Sequence, residues 1–411
     1  MLDRISGRAP LPHGLSGGRG GGAPGGAMRI LLIEPWLDGS HRQWAEGYQR
    51  ASNHEVHVIG LPGRLWRWRL RGGAVPLAAE VIDWIDRHGQ PDVVVISGLV
   101  DGAHLLGLAR RQLGATPVAV YQHESQLVYP TTSGSDQEAA LRNWLSWCAA
   151  DVVLFNSEYH RDAVAERLPA FVAQLPDQSH RPFVEPVLAR FEVLPVGLDL
   201  GPLLNTSSAS AATSTVGGVV AEDEGLDRGP RVLWPHRWEA DKDPAAFERA
   251  LVKLEAAGQP FELILAGADP SGGSTQAVEA RHRLVARFGS RVVAVGPFPV
   301  DEYRRLVTSA DVVASCAHQE NFGIGVVEAV AAGCVPLLPN RLSYPEIIPR
   351  RWHSSVLYEP GQFGTALVEC LAELDQRRRA TAGLAAEMAR FDWAVMADCY
   401  DQRLAALANP G

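Results

Sequence analysis

The segment SCAHQENFGIGVVEAVAAG (315–333) carries two carboxylates, Glu320 and Glu328, with seven residues between them. The first sits in a glycine-bearing loop and the second on the first turns of a helical run that ends at Gly333. Gly323 and Gly325 stand at the helix start, so the amides around Asn321, Phe322, Gly323 and Ile324 can cradle a phosphate at a helix N-terminus. About one turn further on, the Glu328 carboxylate is placed to accept both hydroxyls of a ribose. Glu320, in the loop before, points at a sugar held beyond that phosphate. A structural cap flanked by solvated acids is the alternative.

A second cluster is WPHRWEADKDP (234–244), where Arg237 and Lys242 lie five apart before a helix expected at about 243–256. An arginine offers a fork to phosphate oxygens and a lysine a compact point charge. Two cations on a diphosphate neutralise a leaving nucleotide. Surface pairing with Glu239 and Asp241 is the competing explanation. Of the 38 basic residues only Lys242 and Lys253 are lysines, which weighs against a chance placement. YQHESQLVYP (121–130) puts His123 and Glu124 at the edge of a strand, with Gln126, Tyr129 and Pro130 following. An imidazole there can hydrogen-bond a sugar hydroxyl or stabilise developing charge, or it can close a local loop bond. EPWLDGSHRQWAEGY (34–48) sets Gly39 and Ser40 where a strand turns into a helix, which suits an anion, or an ordinary turn with Ser40 as N-cap. It contains no GxGxxG, which argues against a dinucleotide fingerprint there. His41 can reach the same cleft or lie solvated. LAGADP places Gly267 after a strand, as a nucleotide-facing turn needs.

These residues need a frame, and the chain supplies one. Its 411 residues exceed one ordinary core, and 46% hydrophobic with 21% charged content fits a soluble globular protein. A net charge of −9 gives no bulk attraction to nucleic acid, so any RNA contact must be a local basic patch. Cys148, Cys316, Cys334, Cys370 and Cys399 form no CxxC pair and are expected to be buried free thiols. No stretch approaches the ~20 apolar residues of a membrane span. Residues 1–27 are Gly-, Arg- and Pro-rich without an apolar h-region; they are expected to be a disordered tail rather than a secretory signal, and a cytoplasmic enzyme fits.

Apolar runs at 29–34, 54–60, 92–97, 117–122 and 151–157 read as buried parallel strands, with helices such as 102–114 and 136–149 between them. A second series follows at 231–236, 261–267, 291–297, 311–316 and 335–340, and 362–408 reads as helical. The fold class is therefore α/β, with two Rossmann-like domains facing a cleft. The expected division is 28–200, a low-complexity linker or insert at 201–230, 231–390, and a C-terminal helix at 391–411 packing back on the first domain. Ligands in such sheets bind beyond the carboxyl ends of the strands, where all the motifs above fall.

Taken together, Glu320, Glu328, Arg237 and Lys242 resemble the retaining GT-B glycosyltransferases, the family-4-like group that includes sucrose and glycogen synthases. A narrower resemblance lies in IEPWLDGSHRQW, LPGRLWRWRLR, YQHESQLVYP, FNSEYHRD, PHRWEADKDP and CVPLLPNRLSYPEIIP, spread over about 28–360. These words are similar to the tRNA-queuosine alpha-mannosyltransferase group. The resemblance implies transfer of mannose from GDP-mannose to the cyclopentenediol of queuosine in tRNA, with no metal and no other cofactor. It implies that Arg237 and Lys242 bind the diphosphate, Glu320 orients the sugar, Glu328 holds the ribose and His123 contacts the sugar near the reacting centre. The sequence reads HES at 123–125 where the resemblance implies HEN, so Ser125 replaces an amide at a position facing donor or acceptor.

An acceptor of that kind needs a nucleic-acid surface. GRLWRWRLRGG (63–73) interleaves Arg64, Arg67, Arg69 and Arg71 with Trp66 and Trp68, pairing phosphate contacts with base stacking. Glu124 and Gln126 complete the expected acceptor side. An amphipathic segment with its tryptophans in the core is the alternative, and so, at the level of function, are a lipid, polysaccharide or small-molecule acceptor, or a non-catalytic RNA-binding relative.

Overall fold

The computed structural model describes residues 26–129, 134–205, 229–268 and 275–409. Residues 1–25 of the expected tail, 206–228 of the expected insert, and Pro130 lie outside that range.

The first half runs β1 (Arg29–Glu34), α1 (Gly39–Ala51), β2 (Glu55–Gly60), α2 (Trp66–Gly72), α3 (Ala74–His88), β3 (Val93–Ser97), α4 (Gly102–Leu108), β4 (Val118–Gln122), α5 (Gly134–Ala149), β5 (Val152–Phe155), α6 (Glu158–Val172) and β6 (Phe191–Val193). All neighbouring strands are parallel, in the order β2-β1-β3-β4-β5-β6. Runs such as Ile30–Ile33 and Val93–Ile96 are wholly buried because helices cover both faces of the sheet. The helix expected over 102–114 breaks at Ala109, which leaves helical geometry between Leu108 and a short turn at Arg110–Leu113. The strand β6, with its three half-buried residues, is too short to show as an apolar run.

The second half runs β7 (Arg231–Trp234), α7 (Pro244–Ala256), β8 (Glu262–Leu265), α8 (Thr275–Phe288), β9 (Val292–Val295), α9 (Val300–Thr308), β10 (Val312–Ala314), α10 (Ile324–Ala331), β11 (Val335–Pro339), β12 (Leu357–Tyr358), α11 (Phe363–Ala372) and α12 (Leu374–Ala380). Its sheet is again parallel, in the order β12-β11-β10-β7-β8-β9. The chain leaves β7 in one direction and returns through β10 in the other, so the loops after those two strands meet at a switch point. The helical tail is interrupted at Gly383, whose φ of +85° is left-handed. It ends in α13 (Trp393–Ala408).

The helix α13 lies against α1 of the first half. Trp44 Nε1 donates to Tyr400 (3.0 Å), and the Asp401 carboxylate accepts from Tyr48, Ser52 and the Asn53 amide (2.8, 2.6 and 2.8 Å). Buried apolar side chains from both sheets and from α13 form one continuous cluster. All five cysteines are free; Cys316, Cys334 and Cys370 are buried, but Cys399 is exposed on the outer face of α13, contrary to the expectation of burial for all five.

Candidate active site

The switch point of the second sheet holds the cationic cluster. Lys242 is 6% exposed, and its Nζ donates to the Gln319 carbonyl (2.6 Å) while lying 3.1 Å from Asp241 and 3.4 Å from Glu320. Burial alone lowers a lysine pKa, but the charges of Glu320 and Asp241 outweigh it and the pKa stands raised. The ammonium is therefore fixed and charged. The amides of His318 and Gln319 bond the Asp241 carbonyl, tying the loops after β7 and β10 together. Arg237 projects from the same loop, half exposed and 3.3 Å from Glu239. Beneath it, His236 is buried and its pKa falls to about 3, chiefly from burial and then from Lys242, so it is neutral. Gly267 is not an open nucleotide-facing turn. It is buried, and any Cβ there would overlap the His236 carbonyl, so the glycine lets the cation loop seat against β8.

Gly323 has φ +95° and forms the N-cap of α10, a geometry that an L side chain rarely adopts. It turns the chain from Glu320 into the helix and leaves the first amides of α10 unpaired within the helix. Asn321 and Phe322 are buried in the turn, Phe322 edge-on to Phe391. Ile324 is half-buried at the first helical position. Glu328 accepts from the Tyr303 hydroxyl at 2.9 Å. Burial raises its pKa to about 7, against the opposing pull of Tyr303 and Arg304.

On the first half, His123 follows β4 and stands over Glu34, the wholly buried last residue of β1. Glu34 accepts the Trp36 amide on Oε1 (2.9 Å), while Oε2 lies 3.0 Å from His41 Nδ1 and 3.7 Å from His123 Nε2. The imidazoles of His41 and His123 are 4.2 Å apart. Burial, then the neighbouring His41 and His160, push the His123 pKa well down, so this ring is neutral. Its Nε2 is buried with no hydrogen-bond partner among the described residues. Glu124 takes the Tyr129 hydroxyl at 3.2 Å and lies within electrostatic reach of Arg237. Ser125 does not face a substrate. It is wholly buried, and its hydroxyl accepts the Leu127 amide inside the turn. Gln126 is half-buried, its amide directed to Asn143. Gly39 and Ser40 are exposed at the start of α1, but the N-cap is Asp38, whose carboxylate takes the Gly39 amide (2.8 Å), so Ser40 sits inside the helix.

The halves touch through backbone acceptors beside these residues. The Ser157 hydroxyl donates to the Asn321 carbonyl (2.5 Å), and Asn321 Nδ2 to the His123 carbonyl (3.3 Å). Glu346 accepts the amides of Glu158 and Tyr159 at the start of α6 (2.9 and 3.1 Å). The loop bearing Glu320 is thus bonded directly to the loop bearing His123.

Comparison with known proteins fits this geometry. Residues 29–198 match the family described as tRNA-queuosine alpha-mannosyltransferase N-terminal, and residues 222–374 match glycosyl transferases group 1. A tRNA-queuosine alpha-mannosyltransferase of Drosophila melanogaster is 33% identical over 328 residues, covering 78% of this chain and 82% of the relative. The chain belongs to the tRNA-queuosine alpha-mannosyltransferase family. A D-inositol 3-phosphate glycosyltransferase of Nocardia farcinica is 28% identical over 51% of this chain and 46% of its own. Among solved structures, sucrose-phosphate synthase from Thermosynechococcus elongatus superposes with TM-score 0.64 at 18% identity, over 92% of this chain and all of that one. The Anabaena HepE protein with UDP and glucose gives 0.61 at 18% identity over the same shares. These neighbours establish the GT-B fold, and the family membership makes this chain a hexosyltransferase.

Within this family member, the Arg/Trp segment forms α2, outside the Glu34–Glu320 cluster. Trp68 is 60% exposed and Trp66 half-buried, so the tryptophans are not core residues. Arg64, Arg67 and Arg71 are exposed. Arg71 pairs with Glu138 (2.7 Å), Arg69 bonds the Pro62 carbonyl (3.0 Å), and Arg67 lies over the Trp66 ring (5.1 Å). Sequence reasoning missed Glu34, Tyr303 and the Ser157–Asn321 contact. Glu34 had a visible signal, since an acid closing the apolar strand RILLIE stands at the carboxyl edge of the sheet. Tyr303 had none, because nothing in the pattern of α9 says which residue α10 will meet.

Proposed function

We propose that this chain transfers mannose from GDP-mannose to a cyclopentenediol hydroxyl of queuosine in tRNA, with retention at the anomeric carbon. The observation that carries the reading is the cluster of Arg237, Lys242 and Glu320 facing His123 in a family member whose first half matches the queuosine-specific domain. The bond from the anomeric carbon to the diphosphate oxygen breaks as the diphosphate charge is met by Arg237 and Lys242. The acceptor oxygen bonds the anomeric carbon on the face the phosphate leaves, and the acceptor proton passes to the departing phosphate oxygen. Two cations in place on the second half supply the charge that a metal otherwise gives a leaving diphosphate, so no metal is assigned to that step. Glu320 orients the sugar, Glu328 takes the ribose and His123 contacts the sugar hydroxyls. Glu124 and Gln126 border the acceptor side, and phosphate contacts come from Arg64 just before α2 and from Arg67, Arg69 and Arg71 on it.

No helix among the described residues is long and apolar enough to cross a membrane. The enzyme acts on tRNA in the cytoplasm without stable membrane association. Mass spectrometry of tRNA nucleosides from cells lacking the gene tests the acceptor: a hexosyl-queuosine disappears and queuosine accumulates. Unchanged nucleosides would sink the acceptor assignment. Purified enzyme offered GDP-mannose, UDP-glucose and UDP-galactose with queuosine tRNA fixes the donor; transfer from either UDP-sugar in preference to GDP-mannose would replace mannose in the proposal.

A further inference from the structure

His41 was not needed to build the donor site, yet its surroundings are those of an anion ligand. Its Nδ1 is committed to Glu34 (3.0 Å), a carboxylate with no exposure, whose other oxygen is held by the Trp36 amide. No described residue hydrogen-bonds its Nε2. The groups facing the ring are Glu34 from β1, His123 and Glu124 from the loop after β4, and Arg237 from across the cleft. Burial lowers the His41 pKa, but the Glu34 charge and hydrogen bond outweigh it, and the pKa stands raised. Arg237 acts against this, as one cation facing another. Two cations opposed across a cleft repel unless an anion lies between them. The ring lies in the first turn of α1, a thirteen-residue helix whose N-terminal end favours an anion.

We propose that His41, held by Glu34, is a further ligand for the donor's diphosphate, closing on it from the first half opposite Arg237. Glu34 is a positioning residue; it reaches the substrate only through the imidazole. His41 keeps its proton, giving a charge-assisted hydrogen bond from Nε2 to a phosphate oxygen, so no bond to hydrogen is broken. The inference rests on the transferase reading and not on the identity of the acceptor. It also gives the cleft a pH response. An imidazolium is present at low pH and is lost as pH rises through its raised pKa, so nucleotide binding weakens on the alkaline side. The sign is opposite to that of the nucleotide's own phosphate, which gains charge as pH rises.

Binding of GDP and of UDP, by calorimetry between about pH 6 and 9, tests this without any tRNA. The wild-type protein should bind one of them with an affinity that falls about tenfold across the alkaline limb. Glu34→Gln should move the midpoint of that fall down by about one pH unit or more, since the imidazolium loses its counter-charge. His41→Asn should bind weakly with no limb. His41→Arg, which keeps a cation at every pH, should recover affinity at about pH 9 and also lack the limb. Thermal midpoints measured alongside show that each variant is folded. The proposal is overturned if Glu34→Gln and His41→Asn bind more weakly at every pH with an unmoved midpoint, since that is a scaffold effect. It is overturned equally if the wild type binds neither nucleotide, or if it takes up one zinc ion per chain that His41→Asn loses, since Glu34, His41 and His123 would then be ligands of a metal. Failure of queuosine tRNA as acceptor leaves the nucleotide result standing.

Discussion

Lys242 on the second half of the cleft is buried and reaches a carbonyl and two carboxylates, whereas His123 on the first half is half-buried and its buried Nε2 has no hydrogen-bond partner among the described residues, with Glu34 3.7 Å away. Each arrangement has its own cost. A buried charge is tolerable only when paired, and Lys242 is paired before any substrate arrives. An unpartnered buried nitrogen costs about 1–3 kcal/mol, which a bound hydroxyl can remove. The first half carries other such groups at the same edge of its sheet: both amide atoms of Gln122, the Ser97 hydroxyl and His160 Nε2. The second half has orphans too, His236 Nε2 among them, but its charges are matched. The second half therefore has its charges paired before any ligand arrives. The first half keeps buried polar atoms with no partner among the described residues.

That contrast is broken most sharply by Lys242→Ala. Removing the cation strips the diphosphate of a charge at the moment of departure, and kcat should fall about a thousandfold. Circular dichroism and the thermal midpoint should show the fold intact, because Asp241 and Glu320 are partly exposed and can take water in its place. Wild-type turnover would remove Lys242 from the reaction. His123→Ala tests the opposite half. It removes a neutral ring whose Nε2 is unpaired, so kcat should fall about a hundredfold, with a smaller loss of stability in the free enzyme from the ring's contacts with Trp44 and Tyr121. A large loss of stability without ligand would mean that His123 is a packing residue.

Glu328→Gln has a smaller effect and a pH signature. Burial lifts this carboxyl to about 7, so it protonates and loses its charge as pH falls through neutrality. Donor KM for the wild-type protein should therefore rise about threefold between pH 8 and 6. Glu328→Gln should show the higher KM at both pH values, with kcat nearly unchanged. A donor KM that is flat with pH in the wild type would remove the ribose role from Glu328.

The second half was the more legible in the sequence, for a physical reason. Its site is built from residues close together in the chain, Arg237 with Lys242 and Glu320 with Glu328, each pair on one loop-to-helix turn. Spacing shows such sites directly. Most strands of both sheets were legible as well, because those buried on both faces read as unbroken apolar runs. The first-half site is assembled across strands: Glu34 ends β1, His41 lies in the first turn of α1 and His123 follows β4. Their meeting is a property of strand order, which periodicity does not encode. Ser125 and Gly267 show the converse. Each sits in a motif, and each is spent on closing its own turn or seating a neighbouring loop. The strands β6 and β12 escaped notice because three and two residues make no pattern.

A separate test concerns a group on the first half but outside the cleft cluster. Trp68 stands 60% exposed on α2, resting its ring over Gly72 beside Arg67 and Arg71. A large indole left in water has no structural return, and the short helix keeps its fold through Leu70, which is buried. Stacking on an unpaired base is worth about 1–3 kcal/mol, so Trp68→Ala should weaken tRNA binding about tenfold at fixed salt. The slope of affinity against salt should not change, because no phosphate contact is lost. Arg64→Ala should do the reverse, losing a few-fold in affinity and reducing the salt slope by about 1. Gel-shift titrations at several salt concentrations separate the two. A Trp68→Ala variant that binds queuosine tRNA as tightly as wild type, together with an Arg64→Ala variant that keeps the full salt slope, would detach α2 and the turn before it from the acceptor and leave tRNA to be held by the cleft loops alone.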